Sequence, residues 1–388
     1  MQTHWQALAV LTMARISLGF QVQSIASVSP DLVAELALSY ADLGTLLGLY
    51  YLPGIVLAFP GAALGRRFGD KRVVICGLFL MALGGLMTAA AWDFASLLVG
   101  RLLSGVGAIV LNVLMSKMIT DWFAGRREIV LAMAVFVNSL PIGMGLAMLA
   151  LSPLAILAGW SAALAATAAA SLAALLLVHL AYTKHHNDSA GTEAAGRISA
   201  SDVLLMCLAG AIWGIFNGSV AVMMGFAPTF LTYEGHSAAQ IALLVGATIW
   251  LSAASVQAGG VLAQRWGKHT LLMAAGALGW GACLALLASG VGLSSAALIG
   301  AGLVLGLPVG VILAMPSQVL RPESRSVGMG LFYTCLYLGN TMLPPAAGWV
   351  QDLTGRPAAP LHLTAMLVAS MLLLYALFHA VARRRVPG

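Results

Sequence analysis

The feature that most constrains this chain is a succession of apolar runs, each long enough to cross a lipid bilayer as a helix. A spanning helix needs about 20 mainly apolar residues. Only 8% of the residues are charged, whereas soluble proteins carry about 25%, so a water-soluble fold is excluded. The sequence predicts an all-α membrane protein with twelve transmembrane helices. These spans, numbered 1 to 12, have approximate limits 5–28, 42–64, 72–92, 95–119, 128–150, 154–182, 203–231, 238–262, 269–289, 294–317, 325–350 and 359–382.

Lysine and arginine are distributed unevenly between the loops. If the N-terminus is cytoplasmic, the inner loops hold fifteen of the nineteen Lys and Arg residues and the outer loops hold Arg356 alone. Because positive residues favour the cytoplasmic side, both termini are predicted to be cytoplasmic. The net charge of +6 then lies beside anionic lipid headgroups. The basic residues form no stripe on a polar face, so nucleic acid is not an expected partner.

The longest polar stretch, T-K-H-H-N-D-S-A-G-T-E-A-A-G-R, begins at Thr183 and has the composition of a flexible linker. On its two sides the chain repeats itself at an offset of 198, where Ser39 matches Ser237 and Gly69 matches Gly267. The sequence therefore predicts an N-terminal six-helix bundle (1–182), a cytoplasmic linker (183–200) and a C-terminal six-helix bundle (201–388). Transporters with two such pseudo-symmetric halves bind their substrate near the midplane between them.

Three stretches resemble the major facilitator superfamily: the loop A-A-L-G-R-R-F-G-D-K-R after span 2, its echo after span 8, and G-R-L-L-S-G-V-G in span 4. The resemblance implies transport by alternating access, without a cofactor. The family's loop reads Gly-x-x-x-Asp-Arg-x-Gly-Arg-Lys/Arg, and its aspartate latches the two halves by pairing with a basic residue. Here Arg66 replaces that aspartate. A reversed latch, with Asp121 or Glu128 accepting from Arg66, stays open beside a role in topology alone.

Within the superfamily, D-W-F-A-G-R-R-E after span 4 and the arginine in span 1 are most similar to permeases for cyanate, nitrate or nitrite, and nitroimidazoles. The nitrate porters' glycine-and-asparagine-rich motif is absent from spans 5 and 11. The proton-antiporter motif Gly-Pro-x-x-Gly-Gly is also not present in proper form in span 5. A small-anion carrier is therefore favoured over a drug exporter.

Arg15 interrupts the apolar run L-T-M-A-R-I-S-L-G-F-Q. An unpaired charge inside a membrane costs about 2.5–3.5 kcal/mol on insertion scales. All thirteen acidic residues fall in loops or at span ends, so they lie far from this position. The planar fork of a guanidinium suits carboxylates and oxyanions. Two interpretations stay open, because Arg15 could bind a substrate anion or could pack between helices, bonding to carbonyls or snorkelling toward the cytoplasm.

Further candidates lie on spans 1, 2, 4, 5, 7 and 11. Gly19 is expected to leave room beside the guanidinium, and Trp213 occupies the position of Arg15 in the second half. For each one, ordinary packing explains the residue as well as substrate contact does. The candidate substrate-binding set is Arg15, Gly19, Gln23, Tyr50, Asn112, Asn138, Trp213, Asn217, Tyr333, Tyr337 and Asn340. The candidate gating or motif set is Arg66, Arg67, Gly69, Arg101, Gly105, Gly107, Asp121, Arg265 and Gly267.

Two other cations lie within span 4. The family gives Arg101 a role in gating or proton movement, whereas its local surroundings favour a structural role. Lys117, near the cytoplasmic end, is expected to snorkel to the headgroups or to draw anions toward the exit.

Taken together, these patterns predict a secondary transporter of the plasma membrane, or bacterial inner membrane, that moves a small carboxylate or oxyanion. Its partners are the substrate, the bilayer, and either an exchanged anion or a co-transported proton; a monomer is the family default. The alternative is a proton-coupled exporter of amphipathic drugs. The sequence shows no P-loop, catalytic constellation or metal-ligand spacing, so no enzyme, cofactor or metal is expected.

Overall fold

The computed structural model describes residues 3–57, 61–183, 199–320 and 324–383. These ranges form α-helices joined by short loops. The helices are α1 His4–Val22, α2 Ser24–Ser27, α3 Ser29–Glu35, α4 Tyr40–Leu49, α5 Leu52–Leu57, α6 Gly61–Phe68, α7 Asp70–Ala89, α8 Phe94–Trp122, α9 Ile129–Ala181, α10 Ala200–Tyr233, α11 Ala238–Trp266, α12 His269–Ala288, α13 Ser294–Val304, α14 Val309–Val319, α15 Arg325–Thr354 and α16 Ala359–Arg383.

Seven of the predicted spans coincide with single helices, namely spans 3, 4, 7, 8, 9, 11 and 12. Spans 1, 2 and 10 are divided into shorter helices. Spans 5 and 6 both fall in the 53-residue α9, whose helical backbone is interrupted at Gly159 with φ 84°. By length and apolarity, nine segments of the described ranges could cross a membrane. The fold is therefore an all-helical membrane fold, and the count of twelve and the location of the termini stay predictions.

The first of two compact units comprises Met1–Leu38 and Leu49–Gly191. In it α1 packs along α9, and α7 packs along both α8 and α9. Glycines let these helices approach closely: a Cβ on Gly107 of α8 would collide with the carbonyl of Gly77 on α7. The buried side chains between the helices are apolar, and Leu111 and Phe136 are fully inaccessible. The core of this unit thus lies along α1, α8 and α9.

The second compact unit comprises Ser39–Gly48 and Thr192–Gly388. Here α10 packs along α15 and α16, and α12 packs along α16. A row of glycines at 210, 214 and 218 on α10 faces Cys335 and Gly339 of α15. These small residues bring two backbones together, as in other membrane helix pairs.

Most of α4 belongs to this second unit, although the sequence assigns it to the first half. The carboxylate of Asp352 on α15 accepts hydrogen bonds from the backbone N–H of Tyr40 at 2.9 Å and of Ala41 at 2.8 Å. Gly44 packs directly on the backbone of α15. The predicted boundary at 183–200 therefore does not account for the whole second unit. The cause is a set of contacts between distant parts of the chain, which a composition-based boundary does not register.

The predicted repeat is visible at two helix starts. Before α4, the backbone N–H of Asp42 donates to Ser39 Oγ at 3.0 Å, while Ser39 N–H donates to the Asp42 carboxylate at 3.1 Å. Before α11, Ser237 and Gln240 exchange the same pair of bonds at 3.3 and 2.9 Å. Each pair is a capping box, which satisfies donors that the first helical turn leaves open. The matched serines thus cap equivalent helices in both halves.

Candidate functional site

Arg15 lies inside the first unit with 7% of its surface exposed. Its Nε donates to Asn112 Oδ1 of α8 at 2.9 Å, and its Nη1 donates to the carbonyls of Phe136 at 2.8 Å and Val137 at 3.0 Å on α9. The Ser139 hydroxyl lies 3.2 Å from the same nitrogen, and the guanidinium carbon is 4.6 Å from the centre of the Phe136 ring. Arg15 therefore joins α1 to α8 and α9.

A proline explains why α9 can accept bonds from Arg15. Pro141 lies inside α9, and proline has no backbone N–H to donate to the carbonyl four residues earlier. That carbonyl belongs to Val137, and Arg15 donates to it at 3.0 Å. The sequence V-N-S-L-P already indicates a free carbonyl on this helix, because its proline cannot donate to Val137.

These bonds correspond to the carbonyl-and-amide arrangement that the packing interpretation of Arg15 describes, and the guanidinium does not snorkel. Four hydrogen-bond acceptors of Arg15, namely Asn112, Phe136, Val137 and Ser139, are electrically neutral. These four groups orient the guanidinium and carry no negative charge of their own. The same arrangement is therefore compatible with recruitment of an anion.

The expectation that Gly19 leaves room for a substrate is wrong. A Cβ at Gly19 would collide with the carbonyl oxygen of Leu140, and one at Gly143 would collide with the carbonyl of Ile16. The space beside Gly19 is filled by the backbone of α9, because the two glycines allow α1 and α9 to touch. Gly19 is a helix-packing residue.

Tyr50 and Arg101 also lie in the interior of the first unit. Tyr50 is 1% exposed, its hydroxyl donates to Gln21 Oε1 at 3.3 Å, and the guanidinium of Arg101 lies 4.4 Å from the centre of its ring. Arg101 also donates to the backbone carbonyl of Gln21 at 3.2 Å. In this structure Tyr50 is a core residue rather than a surface that a substrate could reach. The contacts of Arg101 agree with the structural role that its local sequence favours.

The motif glycines of span 4 serve the same packing. A Cβ at Gly105 would collide with the carbonyl of Tyr50, and Gly107 lies against Gly77. Substitution at either position would push α8 away from its neighbours. These two residues therefore support the helix arrangement rather than a separate gate.

Gln23 and Asn138 complete the candidates in the first unit. Gln23 ends α1, and its buried Nε2 finds no hydrogen-bond partner within the described ranges. At 1.5 Å per residue it lies about 12 Å along the axis from Arg15. Asn138 is half-buried and follows Val137, whose carbonyl accepts from Arg15. The structure thus groups Arg15 with Asn112 and places Asn138 beside their α9 partners.

The second unit carries an aromatic cluster around Trp213 of α10. The Trp213 ring stacks on Phe216 at 5.4 Å and is parallel to Phe332 of α15 at 6.4 Å, with interplanar angles of 9° and 8°. Its buried Nε1 has no hydrogen-bond partner among the described residues. Asn217 donates from Nδ2 to the Trp213 carbonyl at 2.9 Å. Tyr333 adds an edge contact to Phe332.

The three candidates on α15 differ in exposure. Tyr333 is 38% exposed, whereas Tyr337 and Asn340 are buried. The amide of Asn340 donates to the Leu336 carbonyl of its own helix at 3.3 Å. Of the three, Tyr333 presents the most accessible surface.

An ion-pair cluster joins α7 to α8. Lys117 Nζ lies 2.6 Å from Asp70 Oδ2 and 3.1 Å from Asp121 Oδ2. The expectation that Lys117 snorkels to the headgroups or draws anions toward the exit is therefore corrected, because both carboxylates hold it. Asp121 pairs with Lys117, and the side chain of Arg66 lies outside the described residues. The sequence analysis does not single out Asp70. A signal for it exists, because in the family's loop an aspartate comes four residues before an arginine, whereas here Arg66 comes four residues before Asp70.

The remaining motif residues shape the loops. Gly69 precedes α7 with φ 88° and Gly267 follows α11 with φ 63°, conformations that favour glycine. Arg67 is exposed and lies 5.4 Å over the Phe68 ring. Arg265 is exposed in the last turn of α11. Within the described ranges no group of His, Cys, Asp or Glu is arranged to hold a metal ion.

Comparison with known proteins links the whole chain to one family. A family model described as Major Facilitator Superfamily matches residues 11–309 and 203–388. The 3-(3-hydroxy-phenyl)propionate transporter of Escherichia coli K12 is 37% identical over 107 residues, 26% of each chain. The hexuronate transporter of Bacillus subtilis 168 is 27% identical over 95 residues, 24% of this chain and 22% of the relative. The matched segments thus span about a quarter of these relatives' length.

Solved structures share the fold over nearly the whole chain. The nucleoside transporter NupG has a TM-score of 0.76 at 13% identity, covering 98% of this chain and all of its own. The peptide transporter PepTSo has a TM-score of 0.76 at 12% identity, covering both chains completely. At such identities these structures establish the fold alone.

Proposed function

The chain belongs to the major facilitator superfamily, and on that basis we propose that it is a secondary transporter that moves a small organic anion by alternating access. The family and the long apolar helices make it an integral membrane protein. We place it in the plasma membrane, which in a bacterium is the inner membrane, and expect it to act as a monomer.

The observation that carries the anionic substrate is the arrangement around Arg15. Burial of a guanidinium is costly, and here the cost is met by neutral groups that fix its orientation. A charge that is already oriented binds an anion with little further ordering. A carboxylate bonded to it gains charge-assisted hydrogen bonds. Asn112 and Asn138 supply neutral donors nearby.

Two relatives favour a carboxylate over an inorganic oxyanion. They are named for 3-(3-hydroxy-phenyl)propionate and for hexuronate, and both compounds are organic acids. Because the first of these compounds is an aromatic monocarboxylate, that class of substrate is the first to test.

Binding to the purified full-length protein tests this proposal. The ligands are 3-(3-hydroxyphenyl)propionate, a hexuronate, and the uncharged amide of the first compound. A ligand that binds the native state at a hundredfold excess over its Kd stabilises it by about 2.7 kcal/mol. We expect the acids, but not the amide, to raise the melting temperature, and Arg15→Gln to abolish the effect. Arg15→Lys, which keeps the charge but loses the planar fork, should bind weakly.

An Arg15→Gln protein that binds the acids with full affinity would overturn the assignment, as would equal binding of acid and amide. If lipophilic cations instead stabilised parent and variant equally, the drug-exporter alternative would take its place. Transport itself is measured with the protein in liposomes. Counterflow of labelled acid against unlabelled acid shows that the protein carries the acid, and uptake driven by an inward proton gradient detects co-transport of a proton.

A further inference from the structure

A polar cavity lies within the second unit, at the turn that joins α11 to α12. Its volume is 590 Å³. Three helices contribute to it: the start of α12, the end of α14 and the last turns of α16. The lining side chains include Lys268, His269, Thr270, Gln318, Tyr375 and His379. The Lys/Arg bias predicts that this end of the helices faces the cytoplasm.

The cavity is basic. Lys268 and His269 line it from α12 and His379 lines it from α16. Arg383, one turn beyond His379, and His269 both act on His379 electrostatically. The acids of the second unit that the structure describes are Asp42, Asp202, Glu234 and Asp352, and none of them lines the cavity. An anion that enters therefore meets the charge of Lys268 and the histidine rings, without a competing carboxylate among the described lining residues.

Uncharged hydrogen-bond donors also line the cavity. Tyr375 is buried and its side chain hydrogen-bonds to that of Thr270, and the Gln318 amide lies across the cavity. The helix α12 also begins here, and its N-cap residue Lys268 makes no side-chain capping bond. The positive end of the helix therefore adds to the charge of the side chains.

The surface beside the cavity is apolar and exposed. Trp266, which ends α11, is 57% exposed, and Leu271 at the cavity wall is also exposed. Farther along α12, Leu278 lies seven residues after Leu271 on the same helix face and is 56% exposed. Tryptophan is typical of the membrane–water interface. A ligand in the cavity can thus continue along an apolar helix face into the hydrocarbon region.

We propose that this cavity binds the phosphate headgroup of an anionic phospholipid, with the acyl chains along the exposed face of α12. Basic pockets between transmembrane helices on the cytoplasmic side bind such headgroups. A free phosphate would use the cations but would gain nothing from the apolar face. The proposal is independent of the transported substrate.

The test uses the full-length protein in a mild detergent. The probes are dioctanoyl phosphatidylglycerol, dioctanoyl phosphatidylcholine, glycerol 3-phosphate and inorganic phosphate, followed by native mass spectrometry and thermal shift. The variants are Lys268→Gln combined with His379→Gln, and Lys268→Glu, which alters an exposed side chain and should fold normally. The matched control is Arg126→Gln combined with Arg127→Gln, which removes two exposed cations of the first unit, predicted to lie on the same membrane side.

We expect phosphatidylglycerol to bind more tightly than phosphatidylcholine. Both cavity variants should raise its Kd, by about fivefold for the loss of one lysine charge and by more for Lys268→Glu, which reverses that charge. The control should change the Kd less than about twofold. Equal binding of the two lipids, or an unchanged Kd in Lys268→Glu, would overturn the proposal. Binding of free phosphate or glycerol 3-phosphate as tight as that of the lipid would overturn the lipid assignment.

Discussion

Asn112 is the position at which the role of Arg15 can be tested without removing the arginine. Its Oδ1 accepts from Arg15 Nε at 2.9 Å, so Asn112→Asp places a carboxylate of nearly the same shape at nearly the same point. Two unit charges about 4 Å apart attract by about 4 kcal/mol at an effective dielectric constant of about 20. The new carboxylate would neutralise the guanidinium and would repel an incoming anion.

We expect Asn112→Asp to weaken the binding of an organic acid by at least half of that attraction. About 2 kcal/mol corresponds to a roughly 30-fold rise in Kd, which isothermal titration calorimetry resolves. The ligand-free variant should also melt at a higher temperature, because it contains a new ion pair. Asn112→Leu is the matched control. It removes one hydrogen bond without adding charge, so the free energy of unfolding should fall by about 1 kcal/mol.

The two measurements together decide the question. A higher melting temperature with an unchanged Kd would show that the ion pair forms and that the substrate does not use Arg15. That result would refute the reasoning. A much smaller rise in Kd for Asn112→Leu than for Asn112→Asp would attribute most of the effect to the added charge.

Three further variants test the packing described above. Gly19→Ala should cost about 1–3 kcal/mol through overpacking, seen as a lower melting temperature, whereas Gly260→Ala, where a Cβ meets open space, should not destabilise. Asp352→Asn should weaken the cap of α4 by about 1 kcal/mol, measured as faster hydrogen exchange of the first amides of α4. Lys117→Met should cost about 2 kcal/mol by leaving a buried carboxylate unpaired. Adding Asp70→Asn should recover most of that loss in chemical denaturation, and no recovery would contradict the ion-pair assignment.

Hydropathy and charge bias identify the class of fold because a bilayer tolerates few spanning structures. The repeat also has a physical counterpart, since Ser39 and Ser237 cap equivalent helix starts. Helix continuity is harder to predict. The break at Gly159 depends on a positive φ, which glycine permits but does not require.

Within the candidate site, the sequence predicts Arg15 and Asn112 but not the backbone carbonyls of α9 that Arg15 contacts. Arg15 stands out because it is a charge in an apolar run, whereas its carbonyl partners are invisible until Pro141 is seen to free the carbonyl of Val137. The missing side chain of Gly19 predicts room beside the guanidinium, whereas the structure fills that space with the backbone of α9. Asp70 and Lys117 are separated by 47 residues in the sequence. The periodicity of a single helix therefore cannot predict their contact.

The capture of α4 by the second unit also has a consequence for the order of biosynthesis. Tyr40 and its partner Asp352 are 312 residues apart in the chain. At about 5–20 residues per second, α4 waits roughly 15–60 s on the ribosome before its acceptor is made. During that interval its glycine face has no α15 to pack on, so the second unit cannot finish folding until both ends of the chain have emerged. Folding of the second unit therefore ends late, when α4 packs on α15, and the two halves of the sequence do not fold independently.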